Sequence, residues 1–585
     1  MGSESARPAG RAPGADALSL GESQRRQFWL LLAFAVLLLA SGIGLRDPWP
    51  ADEPRFALVA KQMVDSGEWL FPHRGNELYS DKPPMFMWMQ ASAHALTGSW
   101  RIAFLLPSLL AGLLTLGLVY DLSRRLHGRR VALVAVLGLL FTLQFTFQVR
   151  AAQIDATLLG IMTLACYGLL RHLLLGPNWR WLWIGCFAAG IGTITKGVAF
   201  LALLLIPLAL AGRRLGWQGL PPRRAMSPGK IALAVLAFVL AVSLWLVPML
   251  WTVWRLDDPA YTDYARDILL GQTASRYLTP THHLHPPWYY LQMIASMWLP
   301  ISFALIWAIP HWWRGWRRGW RPARVWLPLS FAVLIVFFFS LSGGKRDVYI
   351  MPALPMLVLA LAPLLPGILR KPAAQRLLFA MAALLAVGLT VGSLYAIYGE
   401  PAFAERLRSL RGLDPWPITL TMGLCALACL IAFRPRRGAL ALAGSLTAIW
   451  LIYSYWAYPV INDSRSARGV MQQAGTLIGP DAELGLLSWK EQNLLMADRP
   501  ATVFGFLAPR AEQELKAVAW LREAPEKRWI MAQKLSLKAC FEVDKATVVG
   551  ESNRRRWYLV NADALRPQCE PHPPEAWTRH KVAWH

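Results

Sequence analysis

Charge is scarce in this 585-residue chain. Only 16% of its residues are Asp, Glu, Lys or Arg, against 55% hydrophobic. Soluble domains carry about 25% charged residues, so the shortfall excludes a wholly soluble protein and points to a polytopic membrane protein with some soluble mass. Acid is scarcer than base, 35 residues against 60, for a formal net charge of +25. That surplus does not signal nucleic acid. It falls in short Arg-rich clusters between apolar stretches: RRLHGRR at 124–130, RRLGWQGLPPRR at 213–224, RGWRRGWRPAR at 314–324 and RPRR at 434–437. Such spacing sets membrane topology by the positive-inside rule.

Cysteine is equally sparse. Cys166, Cys186, Cys425 and Cys429 fall in apolar stretches, where a small buried thiol is the ordinary role. Cys425 and Cys429 lack His or carboxylate neighbours, which argues against a metal site there. Cys540 and Cys569 lie in the polar C-terminal part and would pair if that part faces an oxidising compartment; spacing alone leaves the pairing open. No small-residue cleavage site follows the apolar run from Phe28 to Leu45, so it reads as an uncleaved first span. No Gly-rich phosphate loop and no metal-binding acidic motif is visible, so neither a nucleotide nor another cofactor is expected.

A bilayer core of about 30 Å calls for roughly 20 apolar residues per helix. On that basis thirteen spans are expected, near 28–45, 101–121, 131–149, 155–175, 181–194, 198–212, 231–254, 289–310, 325–341, 350–369, 377–398, 416–433 and 439–458. With a cytoplasmic N-terminus the Arg-rich clusters all fall on the cytoplasmic side. Loops 46–100 and 255–288, which hold most of the membrane part's acids, then fall on the opposite side. The organisation expected is a disordered N-terminus (1–24), a membrane domain (25–458) and an external domain (459–585). In the last, short apolar runs at Glu483–Trp489, Thr502–Phe506, Arg528–Met531, Ala546–Gly550 and Trp557–Val560 accompany a helix-like stretch at 510–524, the pattern of a small α/β domain. The Trp-rich stretch 312–326 reads as an interfacial aromatic belt on the cytoplasmic side.

The loop between the first two spans carries the chemistry. It contains RDPWPADEPRFALVAKQMVDSGEWLFPHRGNELYSDKPPMFMWMQ and brings Asp52, Glu53, Arg55, Tyr79, Asp81 and Lys82 together at the water–lipid boundary. Phe56, Val59, Ala60 and Met63 recur at helical spacing, which predicts an interfacial helix over Glu53–Val64. Asp81 is placed to cap a second, with Pro83 and Pro84 in its first turn. A further acid, Asp155 in RAAQID, sits at the outer mouth of two spans, and acids at membrane depth are costly and functional by default. Lys82, Lys196, Lys345, Arg346, Arg276 and the histidines His282, His283 and His285 lie on the same predicted face, where the positive-inside rule leaves few cations. Several Lys and Arg converging on one cavity suit a phosphate. Pro286 and Pro287 break the ligand spacing after the histidines, so no metal is assigned.

These residues resemble a family. The loop 46–99, Asp155, TKG at 195–197, the Arg276 to Tyr290 stretch with PPWYY, and KRDVYIMPALP at 345–355 resemble the GT-C class of membrane glycosyltransferases. Within it the chain is similar to the aminoarabinose transferases that modify lipid A and to the protein O-mannosyltransferases. The resemblance implies a GT-C fold of about thirteen transmembrane helices, with a small external α/β domain. It also implies transfer of a sugar from a polyprenyl phosphate donor to a lipid or glycan acceptor, lipid A among them, at the outer face of a bacterial inner membrane. Asp52 and Asp155 match the catalytic acids, with Glu53 beside them. Lys82, Arg276, Tyr79, Tyr349, Lys345 and Lys196 are then candidates for the donor phosphate. Asp81, Arg55, His282 and His283 are candidates for sugar or acceptor. A protein O-mannosyltransferase-like enzyme and a polyprenyl-lipid transporter are the alternatives, and the sugar and acceptor stay open.

Overall fold

The computed structural model describes residues 22–220, 227–275, 284–569, 576–580 and 584. Arg276, His282, His283 and residues 1–21 of the expected disordered N-terminus lie outside them; residues 22–24 already belong to the helix Glu22–Ala40.

All thirteen apolar segments are helical, whole or in pieces. Among the described residues seven helices are long and apolar enough to cross a membrane, and nine if each of two bent pairs forms one span. The bends depart from the continuous helices expected over 131–149 and 289–310. Arg129–Leu140 meets Leu143–Val149 at 68°, and Tyr289–Met297 meets Ile301–Arg317 at 104°. At the first, Thr142 takes an extended backbone and its Oγ1 donates to the Gly138 carbonyl at 2.8 Å. At the second, Pro300 supplies no N–H. The two breaks satisfy each other: the Leu143 amide donates to the Leu299 carbonyl at 2.9 Å, removing one unpaired backbone group where no water could serve it.

The C-terminal part contains a six-stranded sheet. Besides the short ribbon β1 (His73–Arg74) and β2 (Glu77–Leu78), the strands are β3 (Glu483–Leu486), β4 (Ala501–Val503), β5 (Arg528–Gln533), β6 (Thr547–Ser552), β7 (Arg555–Val560) and β8 (Arg579–His580), in the order β6-β7-β5-β3-β4-β8. β3 runs parallel to β4 and β5, while the other pairings are antiparallel. The helix Arg510–Glu523 connects β4 to β5.

Successive residues of a strand face opposite ways, and here both faces are buried. Phe504, Ile530, Ala532 and Val560 pack with Trp520 and Leu521 of the connecting helix. Val503, Met531 and Leu559 pack instead with Phe56, Val59, Met63 and Tyr79 of the first loop. Burial on both faces explains why these strands read as continuous apolar runs rather than alternating ones.

This packing corrects the expectation of an interfacial first helix. Glu53–Ser66 forms, with Gly67 ending it at φ 75°, but Phe56 through Ala60 and Met63 are covered by protein rather than turned to lipid. Asp81 does not cap the second helix. That helix runs from Met85 to Thr97 with Pro84 at its N-cap, and the Asp81 carboxylate lies 3.9 Å from Arg55. Near the end of the chain, Trp584 Nε1 donates to Asp47 at 3.1 Å and its ring stacks on Trp100 at 5.9 Å.

Cys540 and Cys569 are bonded, with Cα atoms 5.4 Å apart and a sequence separation of 29; the other four cysteines are free. Opening a loop of this length removes roughly 3–4 kcal/mol of constraint on the unfolded chain. The C540S/C569S protein is therefore expected to show earlier thermal unfolding and faster trypsin cleavage of residues 459–585, with the membrane part unaffected. Equal cleavage rates would exclude this stabilising role.

Candidate active site

The two acids singled out in the sequence converge through their partners. Asp52 occupies the N-cap position of Glu53–Ser66, yet its carboxylate makes no capping hydrogen bond. It accepts instead from Arg346 at 2.8 Å and lies 3.9 Å from Arg55. The residue is 9% exposed. Burial raises its pKa, but Arg346, then Arg55 and Lys196, outweigh that and hold the carboxyl below the usual carboxylate range. Asp155 stands in the first turn of Ile154–Leu174, where a helix dipole favours an acid. It accepts from Lys196, the last residue of Trp179–Lys196, where the dipole favours a cation. The Lys196 ammonium lies 4.8 Å from the Tyr349 ring centroid. Asp52, Asp155, Lys196, Arg346 and Tyr349 thus share one region, although they come from four separate segments.

A second group adjoins the first through Arg55, which lies 3.9 Å from Asp52 and from Asp81 and 3.1 Å from Glu491 of the C-terminal part. Glu491 is buried and also 3.7 Å from Arg74. Burial works against the Arg55 charge, but Tyr79, Glu491, Asp52 and Asp81 more than offset it and raise its pKa. The Tyr79 hydroxyl is buried with no hydrogen-bond partner among the described residues. Burial, then Asp81, push its pKa up, so it stays a neutral O–H, a donor aimed at no acceptor of the protein's own. Lys82 donates to the Asp81 carbonyl at 2.6 Å.

Two sequence candidates take other roles. Glu53 is an anchor rather than a reacting acid: it holds Arg46 at 2.7 Å and accepts from the Trp49 and Ala152 amides at 2.8 Å each. Arg46 in turn reaches the Arg150 carbonyl at 3.1 Å. Lys345 is buried, its ammonium donating to the carbonyls of His285, at 3.0 Å, and Ser342. Its neighbour Arg346 faces Asp52 instead.

A family profile described as dolichyl-phosphate-mannose-protein mannosyltransferase matches residues 81–247. The undecaprenyl phosphate-alpha-4-amino-4-deoxy-L-arabinose arabinosyl transferase of Pseudomonas paraeruginosa is 31% identical over 451 residues, 73% of this chain and 75% of that one. The chain belongs to that family. The transferase of the same name from Shewanella sediminis is 26% identical across 81% of this chain and 82% of its own length. Among solved structures, ArnT from Cupriavidus metallidurans bound to undecaprenyl phosphate superposes with a TM-score of 0.69 at 19% identity, covering 93% of this chain and 99% of that one, and so shares the fold. This protein is accordingly a membrane glycosyltransferase of GT-C architecture.

Sequence reading of this transferase missed Arg346 as the partner of Asp52, and it missed Arg74 and Glu491 altogether. Arg346 was visible beside Lys345, but two consecutive residues in an extended segment point opposite ways, and nothing local says which faces the cavity. Glu491 comes from a domain without catalytic motifs and reaches the site only through folding.

Two substitutions separate the adjacent acids. Glu53→Gln leaves Arg46 buried with a weakened partner and should cost about 3–5 kcal/mol of stability, whereas Asp52→Asn should leave the thermal midpoint near wild type. Equal midpoints for the two variants would refute this division. Removing Arg346 takes away the main cation holding Asp52 ionised, so burial then dominates. In Arg346→Gln the acid limb of kcat/KM, where activity falls as Asp52 protonates, should move up by about 1–3 pH units; an unmoved limb would show that Asp52 ionisation does not control turnover.

Proposed function

We propose that this transferase moves 4-amino-4-deoxy-L-arabinose from undecaprenyl phosphate to lipid A at the periplasmic face of the inner membrane, within a membrane domain of thirteen spans. The relatives carry the donor and sugar in their names. The side follows from the Arg-rich clusters lying away from the acidic loops. The observation that carries the mechanism is the Asp52 carboxylate, buried and ionised against Arg346, in the same region as the Asp155–Lys196 pair.

In the reaction an acceptor oxygen attacks the anomeric carbon. A carbon–oxygen bond forms on one side while the bond to the phosphate oxygen breaks on the other, and undecaprenyl phosphate departs with that electron pair. Asp52 orients the acceptor, taking its proton where it is a hydroxyl. Negative charge grows on the leaving phosphate, where Lys196 and Lys82 supply positive charge and the unpartnered Tyr79 hydroxyl donates. Asp155 positions Lys196 and holds its charge in place. Tyr349 completes that wall, and Arg276, with His282 and His283, is assigned to the same cavity from the sequence pattern. Glu491 positions Arg55, and Arg55 with Asp81 faces the sugar or acceptor.

The test is direct. Purified protein incubated with undecaprenyl phosphate-aminoarabinose and lipid A should release undecaprenyl phosphate and add one aminoarabinose mass to lipid A. Asp52→Asn should lower that rate by about 10²- to 10⁴-fold without loss of folded protein. Transport of the donor without release of undecaprenyl phosphate would replace this reading with that of a transporter.

A further inference from the structure

The membrane helices form a cavity of about 240 Å³ whose lining includes none of the site's acids. Its walls include Leu369, twenty positions after Tyr349 along a segment that is helical in two pieces, Ala353–Leu361 and Leu365–Leu369. The lining carries no charged or hydrogen-bonding side chain other than the Trp307 indole; small residues such as Gly138, Ala374 and Ala443 leave the room. An apolar cavity that offers water no partners stays dry, and about 150 Å³ of such space already accommodates a benzene ring. Two of its residues, Leu137 and Leu440, are 36% and 51% exposed and open it to the outer surface of the helices. The chemistry recognised there is hydrocarbon.

The rim has the opposite character. Gln375 donates to the Leu369 carbonyl at 2.6 Å and accepts from the Ala439 amide at 2.9 Å, drawing two helix starts together beside the cavity. Arg370, Lys371 and Arg376 flank this clamp on one side, with Arg434, Arg436 and Arg437 on the other, and all six are exposed. No acid occurs at 361–380 or 430–450. Among the described residues none of the six enters an ion pair, although Arg side chains elsewhere pair repeatedly. Hydrocarbon-lined space bounded by cations is the complement of a molecule with an apolar chain and an anionic head.

We propose that this cavity and its rim bind one anionic diacyl phospholipid of the leaflet on the Arg-rich side, with an acyl chain in the cavity and its phosphate against the cations. Basic residues at helix ends recognise such headgroups. The other occupants fit less of the site. A second copy of the chain would bring like charges together. A neutral apolar molecule would make no use of the six cations at the rim. The donor's phosphate is assigned to the acids, none of which lines this cavity.

Full-length protein reconstituted in nanodiscs of equal phosphatidylglycerol and phosphatidylcholine, then released into detergent and weighed by native mass spectrometry, tests this. Phosphatidylglycerol should be retained about tenfold or more over phosphatidylcholine. The R370Q/K371Q/R436Q/R437Q protein should lose that preference, and Ala443→Phe, which fills the cavity, should lose both lipids. A measurement on unaltered protein guards against variants that fold poorly: phosphatidylglycerol with a photoactivatable acyl chain should label peptides spanning 365–378 or 439–443. Equal retention of the two lipids, labelling elsewhere, or displacement of the label by undecaprenyl phosphate would overturn the proposal, the last by assigning the cavity to the donor's tail.

Discussion

The Glu53 carboxylate is the constraint on which the rest of the site depends. It satisfies Arg46 and the amides of Trp49 and Ala152, which join two pieces of chain: Arg46 and Trp49 open the first loop, and Ala152 stands three residues before Asp155. One buried anion therefore fixes the spacing between the segments that carry Asp52 and Asp155. Such a group is held by low dielectric: a buried charge that loses a partner finds no water to replace it, so the geometry has few alternatives. Asp47 works similarly on the outer side, fully buried and bonded to Arg101 at 3.0 Å, Arg468 at 2.8 Å and Asn462 at 2.7 Å. Burial raises its pKa, but Asn462, Arg101 and Arg468 hold it below the usual range.

With the frame held, charges of alternating sign cross the site. Arg346 joins Asp52, Lys196 joins Asp155, and Arg55 lies between Asp52, Asp81 and Glu491. Each acid thus has a cation facing it. The C-terminal sheet takes part in this arrangement. One of its faces closes over the first loop, burying Phe56, Val59 and Met63, and Glu491 reaches past it to Arg55. The domain is both roof and supplier of one wall residue.

Much of this was readable from residues alone because the signals are strong and local. Apolar length marked the helical segments, apolar period marked the helix expected over Glu53–Val64 and found at Glu53–Ser66, and continuous apolar runs coincide with β3 to β7. Asp52 and Asp155 stood out because acids near apolar spans are rare. The misreadings share one cause. Helix amphipathicity reports that a face is buried, not what buries it, so the first-loop helix read as lipid-facing when protein covers it. Consecutive charged residues gave the same ambiguity at Glu53 beside Asp52 and at Lys345 beside Arg346, where one of each pair stabilises the frame and the other faces the site.

The sequence by itself determined that this chain is a membrane protein with an acidic, phosphate-suited loop at one boundary, because hydropathy and charge distribution are properties of composition along the chain. Tertiary structure decided which acid faces Arg346 and which ties down Arg46 and two backbone amides, and that a residue of the C-terminal part, more than 400 positions away in the chain, meets Arg55. Those choices depend on which polar groups lose their water together, and only packing brings such groups into the same low-dielectric space.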